Sequence, residues 1–168
     1  MLKKLLKKEI FEGMLKLYKT VDSKLCYWEV WDNDGTTATI HWGVVGKRGK
    51  NKKISNELTA IQKEINEKIA EGYLEFDEDK TSLLEIEFVV EGFGSSIDLE
   101  KRDRLEARLS ELLGWTGLGH VDGGSIGSGT MELGCEVVDF EIAKKIIEND
   151  LKNTEFDNYS RIFDLERE

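Results

Sequence analysis

The hydrophobic period of the chain changes several times, and those changes divide it. Leu15-Lys16-Leu17-Tyr18-Lys19 alternates apolar and polar positions, as a strand with one buried face does. Residues 24–31 form the next strand, dense in aromatics. Asp32-Asn33-Asp34-Gly35 is turn chemistry, and residues 36–42 follow as a third, β-branched strand. Lys52-Lys53-Ile54 starts a short fourth strand. From Ser55 the period lengthens. Leu58, Ile61, Ile65 and Ile69 form the apolar stripe of a helix, with Ser55 or Asn56 as its cap and Gly72 as its stop.

Similar changes recur in the second half. Leu84, Ile86, Phe88 and Val90 alternate with Glu85, Glu87 and Glu91, which predicts a half-buried strand. Asp98 is the expected N-cap of a helix that buries Leu105, Leu109, Leu112 and Leu113 and closes at Gly114. Two weaker strands are expected at 119–125 and 130–138, joined by Ile126-Gly127-Ser128-Gly129. In the second of them Met131, Leu133, Cys135 and Val137 share one face, and Glu132 and Glu136 share the other. Asp139 caps a helix with Phe140, Ala143, Ile147 and Leu151 inward, and 159–163 is a final strand. The order βαββαβ predicts a ferredoxin-like domain at 82–168, a fold that by itself specifies no chemistry. With an antiparallel sheet plus helix at 14–76, the fold class is α+β. Phe76-Asp77-Glu78-Asp79-Lys80 reads as a short acidic linker. Residues 1–13 set Leu2, Leu5, Leu6 and Ile10 against Lys3, Lys4, Lys7 and Lys8, an amphipathic segment that reads as a packing arm or frayed terminus, or else as a membrane-surface helix.

Composition narrows the picture. A chain of 168 residues with 39% hydrophobic and 35% charged residues can bury a core. No apolar run approaches the roughly 20 residues that span a bilayer. The first residues lack the apolar core and cleavage site of a signal peptide, so the expected location is cytoplasmic, with no membrane partner. Cys26 and Cys135 fall in different halves and are expected to be reduced. Two cysteines and two histidines far apart make no zinc spacing, and neither a metal nor a cofactor is expected. Charge is split. Residues 1–76 hold 14 Lys and Arg against 11 Asp and Glu, a net +3; residues 77–168 hold 10 against 23, a net −13. The first half tolerates an anionic partner, and the second repels one.

The densest candidate chemistry is Trp42-Gly43-Val44-Val45-Gly46-Lys47-Arg48-Gly49-Lys50-Asn51-Lys52-Lys53, where a strand ends and three glycines and five cations follow. Two readings stand: the cations contact phosphates while Trp42 stacks on a base or sugar, or Trp42 is core and the lysines are merely solvated. Residues 14–76 resemble the WGR domain. The resemblance rests on the aromatic strand Tyr27-Trp28, the strand running into Trp42-Gly43 and Gly46, the basic loop, the helix start Ser55-Asn56-Glu57-Leu58-Thr59-Ala60-Ile61, and Gly72-Tyr73 at the close. It implies a DNA-contacting module, as in DNA-dependent poly(ADP-ribose) polymerases, where the motif tryptophan and nearby basic residues meet DNA at a strand break. Carried over, Trp42 and Gly43 would form the motif, and Lys47, Arg48, Lys50, Lys52 and Lys53 the phosphate contacts. The motif arginine is Val44 here, which cannot fork onto a phosphate. The remaining residues lack the motifs of a polymerase catalytic domain, so the expected role is non-enzymatic binding of DNA or RNA.

Other features carry weaker chemistry. Glu85, Glu87, Glu132 and Glu136 fall on outward strand faces. If those strands are neighbours they form an acidic sheet surface, either solvated or suited to a basic protein partner, as in an inhibitor or immunity-type protein. His120, Asp122 and Ser125, in a glycine-rich stretch, read as an acid–base set or as a plain hairpin with a bulge. That stretch has neither a P-loop ending nor a nucleophile elbow. Trp28 and Trp31, three apart, are expected on opposite faces of their strand, one in the core and the other either exposed in an interface patch or also buried, if the second module covers the sheet.

Overall fold

The structure is a computed structural model and describes residues 14–167. The amphipathic segment expected at 1–13 lies outside the described residues. The chain divides into two compact units, Met1–Asp77 and Glu78–Glu168.

In the first unit four strands follow one another as an antiparallel meander: β1 (Met14–Val21), β2 (Lys24–Asp32), β3 (Thr37–Val44) and β4 (Lys50–Ser55). The β1–β2 connection is the two-residue turn Asp22-Ser23. The longer β2–β3 turn is organised by Asp34, whose carboxylate accepts from the hydroxyls and backbone amides of Thr36 and Thr37. Those bonds, led by the Thr36 hydroxyl, hold its carboxyl down to about 2. Helix α1 (Leu58–Ala70) lies on one face of the sheet. There Leu15, Leu17, Trp28, Val30, Ala38 and Ile40 meet Ile61 and Ile65 of the helix. Truncating Ile65 to Ala in such a setting costs about 2–5 kcal/mol. The cap of α1 is Glu57, not Ser55 or Asn56, because β4 runs to Ser55 and delays the helix; no side chain caps it. After α1 the chain returns, and Leu74 bridges Tyr18.

The second unit runs β5 (Ser82–Val89), α2 (Ser96–Trp115), β6 (Gly119–Gly127), β7 (Thr130–Val137), α3 (Phe140–Leu151) and β8 (Arg161–Asp164). Its sheet is antiparallel throughout, with spatial order β6-β7-β5-β8. Alternate residues Leu84, Ile86 and Phe88 of β5 and Met131, Leu133, Cys135 and Val137 of β7 are buried, as are Leu105, Leu109 and Leu113 of α2 and Ala143, Ile147 and Leu151 of α3. Two helix boundaries differ from the sequence expectation. Ser95, not Asp98, is the N-cap of α2; Asp98 occupies the third helical position, and its carboxylate accepts from the Ser95 amide in a reciprocal capping box. The helix passes through Gly114 to Trp115, and the left-handed residue is Gly117, at φ 65°. Asp139 caps α3 as expected, accepting from the Ile142 amide at 2.9 Å. Ser128-Gly129, both at positive φ, close the β6–β7 hairpin.

Both units therefore mix helices with antiparallel sheets, an α+β architecture. Among the described residues, no helix is long and apolar enough to cross a membrane.

Candidate functional site

The basic loop of the first unit is built on the sheet face opposite α1. Register places Tyr27, Glu29 and Trp31 of β2 beside Gly43, His41 and Thr39 of β3 on that face. Tyr27, Glu29, Thr39 and His41 are all buried, His41 completely. A buried carboxylate and imidazole are costly unless satisfied, and here they are. His41 Nδ1 donates to Glu29 Oε1 at 2.6 Å, and Lys16 Nζ stands 3.4 Å from Glu29 Oε2. His41 Nε2 donates to the Arg48 carbonyl at 2.9 Å, and the Tyr27 hydroxyl donates to the Lys47 carbonyl at 2.9 Å. Tyr27 Oη also lies 3.1 Å from His41 Nε2. With the tyrosine proton committed to Lys47, that oxygen can only accept from the ring. Both ring nitrogens thus find hydrogen-bond partners within the network. Burial, then the Glu29 charge, pushes the Tyr27 hydroxyl above the ordinary phenol range and keeps it a donor.

The consequence is a basic loop whose backbone is tied down by buried side chains. The two glycines that flank it show how close it lies. A Cβ on Gly43 would meet Gly49 Cα at 2.8 Å and Tyr27 Oη at 2.9 Å. Gly49 sits at φ 62°, and a Cβ there would stand 2.3 Å from the Trp42 carbonyl oxygen. Only glycine fits either place.

The expected phosphate contacts are distributed around this loop. Lys47 and Arg48 are exposed at its tip, while their carbonyls serve the buried network. Lys50 is exposed on the edge strand β4, opposite Trp42. Lys52 lies on the α1 face and pairs with Glu64 at 2.7 Å. Lys53, opposite Thr39, belongs to the other face. Trp42 is half-buried and packs against the core cluster beneath α1, so much of its ring serves the core. Val44, at the motif arginine's place, is half-buried opposite Cys26. Trp28 is core, and Trp31, on the other face, stands edge-on to His41 at 6.0 Å between ring centroids. The role of His41 and Glu29 is not visible in sequence, because it depends on the β2–β3 register and a returning loop. The signal in retrospect is an acid and a histidine on adjacent strands amid aromatics.

In the second unit the four expected glutamates do share a face. β5 and β7 are neighbours, Glu87 is directly opposite Glu132, and Glu85 and Glu136 lie on the same face at other positions of the same pairing. Glu87 is held by Arg161, at 3.1 Å, and by Ser160; these bonds keep its carboxyl below the ordinary range. The Ser125 hydroxyl donates to Glu132. The His120–Asp122–Ser125 set is not assembled as a relay. A bulge between Val121 and Gly123 interrupts the strand, Ser125 is engaged by Glu132, and exposed His120 stands 4.0 Å from Glu136. Cys26 and Cys135 are free thiols; burial, then Asp122, pushes Cys135 up to about 12. Among the described residues, no three or more His, Cys, Asp or Glu side chains are grouped to hold a metal ion. The chain matches no protein-family model, no curated protein and no solved structure.

Proposed function

We propose that the protein is a non-enzymatic, cytoplasmic binding protein whose first unit, WGR-like, contacts DNA or RNA through its basic loop. The observation that carries this reading is the loop held by Tyr27 and His41. Its carbonyls are fixed from below, which leaves Lys47 and Arg48 exposed at the tip, with Lys50 and Lys53 on the adjoining edge strand. A loop whose backbone is already held has only its exposed side chains left to order on meeting a polyanion. Binding by cations alone is sequence-blind and falls within about 10⁻⁴–10⁻⁶ M at physiological salt. The half-buried Trp42 ring borders the array and adds apolar contact beside Lys50. The test is a salt titration of the full chain on labelled single- and double-stranded oligonucleotides. Affinity should fall steeply with salt, and Lys47→Glu and Lys50→Glu should each weaken binding and reduce the log–log slope by about 1. Salt-independent binding, or none at low ionic strength, rejects the reading.

A second reading is favoured by the in-register carboxylates of β5 and β7. The second unit, taken as a ferredoxin-like domain, presents Glu85, Glu87, Glu132 and Glu136 to a basic protein partner, with charge steering the encounter.

A further inference from the structure

The face of the second sheet opposite its helices is not uniformly acidic. A recess of about 240 Å³ lies over its middle. The floor is glycine: Gly134 of β7 is paired with Gly123 of β6 and with Glu85 of β5. Neither glycine has positive φ; Gly123 borders the β6 bulge, and Gly134 lies in a regular stretch of β7. Neither is required by close packing. A Cβ on Gly134 would meet nothing nearer than the Gly123 carbonyl oxygen, at 3.6 Å, and one on Gly123 meets nothing within 4 Å. Glycine inside a strand weakens it and often marks the close approach of a ligand or another chain. Here the missing side chains make the recess. Glu85, Asp122 and Glu132 contribute to its lining, Glu132 with its carboxylate held by Ser125, and Leu83 and Leu165 add apolar surface.

We propose that this recess receives one arginine or lysine side chain of a protein partner, while an apolar neighbour of that residue rests on Leu83 and Leu165. This rests on the basic-partner reading above and names its point of contact. Charge complementarity selects the occupant: residues 77–168 carry a net −13, and three acidic residues are among those that line the recess. The volume falls below the roughly 300–1,000 Å³ of ordinary ligand pockets, which suits a single long side chain rather than a cofactor. A guanidinium offers several donors to carboxylates on more than one side, and its stem covers apolar surface. Phosphate-bearing partners are repelled.

The experiment uses the full chain, ¹⁵N-labelled, titrated with a synthetic heptapeptide Gly-Leu-Arg-Leu-Arg-Leu-Gly. The arginine-to-glutamate peptide, free argininamide and spermidine serve as parallel arms. The expected result is shifts at the amides of Gly123, Ser125 and Gly134, saturating with the arginine peptide only. Gly134→Val, which fills the recess from its floor, should weaken binding tenfold or more, and Asp122→Lys should do the same. A native-like amide spectrum of each variant certifies the fold. If the peptide binds but Gly134→Val binds it equally well, the recess is not the contact and the proposal falls, while the basic-partner reading survives. If no cationic peptide binds, that reading fails with it. Free argininamide or spermidine saturating as tightly as the peptide overturns the protein partner in favour of a small cation. Sedimentation showing that the chain associates with itself through these residues overturns it in favour of a second copy.

Discussion

Each unit places helix on one face of a four-stranded antiparallel sheet, and the two differ in how they use the other face. In the first unit that face is buried and polar: Glu29 and His41 are matched to each other, and the ring and Tyr27 hold carbonyls of a loop. In the second it carries carboxylates at the surface, glycines between them, and a recess. A polar group on a sheet can thus be structural or presentational. The difference lies in whether backbone from elsewhere folds over it. Where a loop returns, each buried polar atom must find a partner, and the network becomes a scaffold. Where none does, the charges are answered by side chains at the surface, as Glu87 is by Arg161 and Ser160 and Glu132 by Ser125.

The largest expected effect breaks the comparison at its strongest point. His41→Leu leaves Glu29 buried without its ring partner and should cost about 3–5 kcal/mol in urea unfolding. A loss below about 1 kcal/mol would show that the face is not structural. Gly49→Ala comes next. It combines a left-handed backbone with a clash against the Trp42 carbonyl, and about 2–3 kcal/mol is expected. Glu132→Gln, by contrast, should change stability by no more than about 0.5 kcal/mol, because it lies on the presented face and its removal relieves repulsion with Glu87. The smallest effect is pH-dependent and belongs to Glu87. Its folded carboxyl titrates below the unfolded one, so its contribution is present above the ordinary carboxylate range and is lost as pH falls through the folded value. Carboxyl NMR should show a depressed Glu87 midpoint that returns towards normal in Arg161→Gln.

Much of this contrast can be traced to what sequence patterns encode. The strands and helices were legible from their periods, since alternation along β7 and the Ile61–Ile65 spacing in α1 reflect burial directly. So was the shared face of Glu85, Glu87, Glu132 and Glu136, once their strands proved to be neighbours. Helix ends were less legible. Asp98 suits an N-cap as well as the third position of a capping box, and only the backbone distinguishes them. The position of Trp42 was ambiguous for a similar reason: its parity with Ile40 puts it on the helix side, but parity acquires a side only after α1 is placed. The Glu29–His41–Tyr27 network was illegible. It joins residues 12 and 14 apart through strand register, and its remaining acceptors are main-chain carbonyls, which no sequence pattern identifies.

Strand β4 ends the first sheet, and among the described residues its outer row of amides and carbonyls meets no fifth strand in the sheet order. Such a row is a template on which another extended chain can add, the first step towards aggregation. Three of its six residues are Lys50, Lys52 and Lys53. A neighbouring copy approaching edge to edge would bring like charges together before any ladder hydrogen bond formed. The lysines therefore guard this edge by charge, and acetylating them would remove that guard and let the bare edge recruit its own kind.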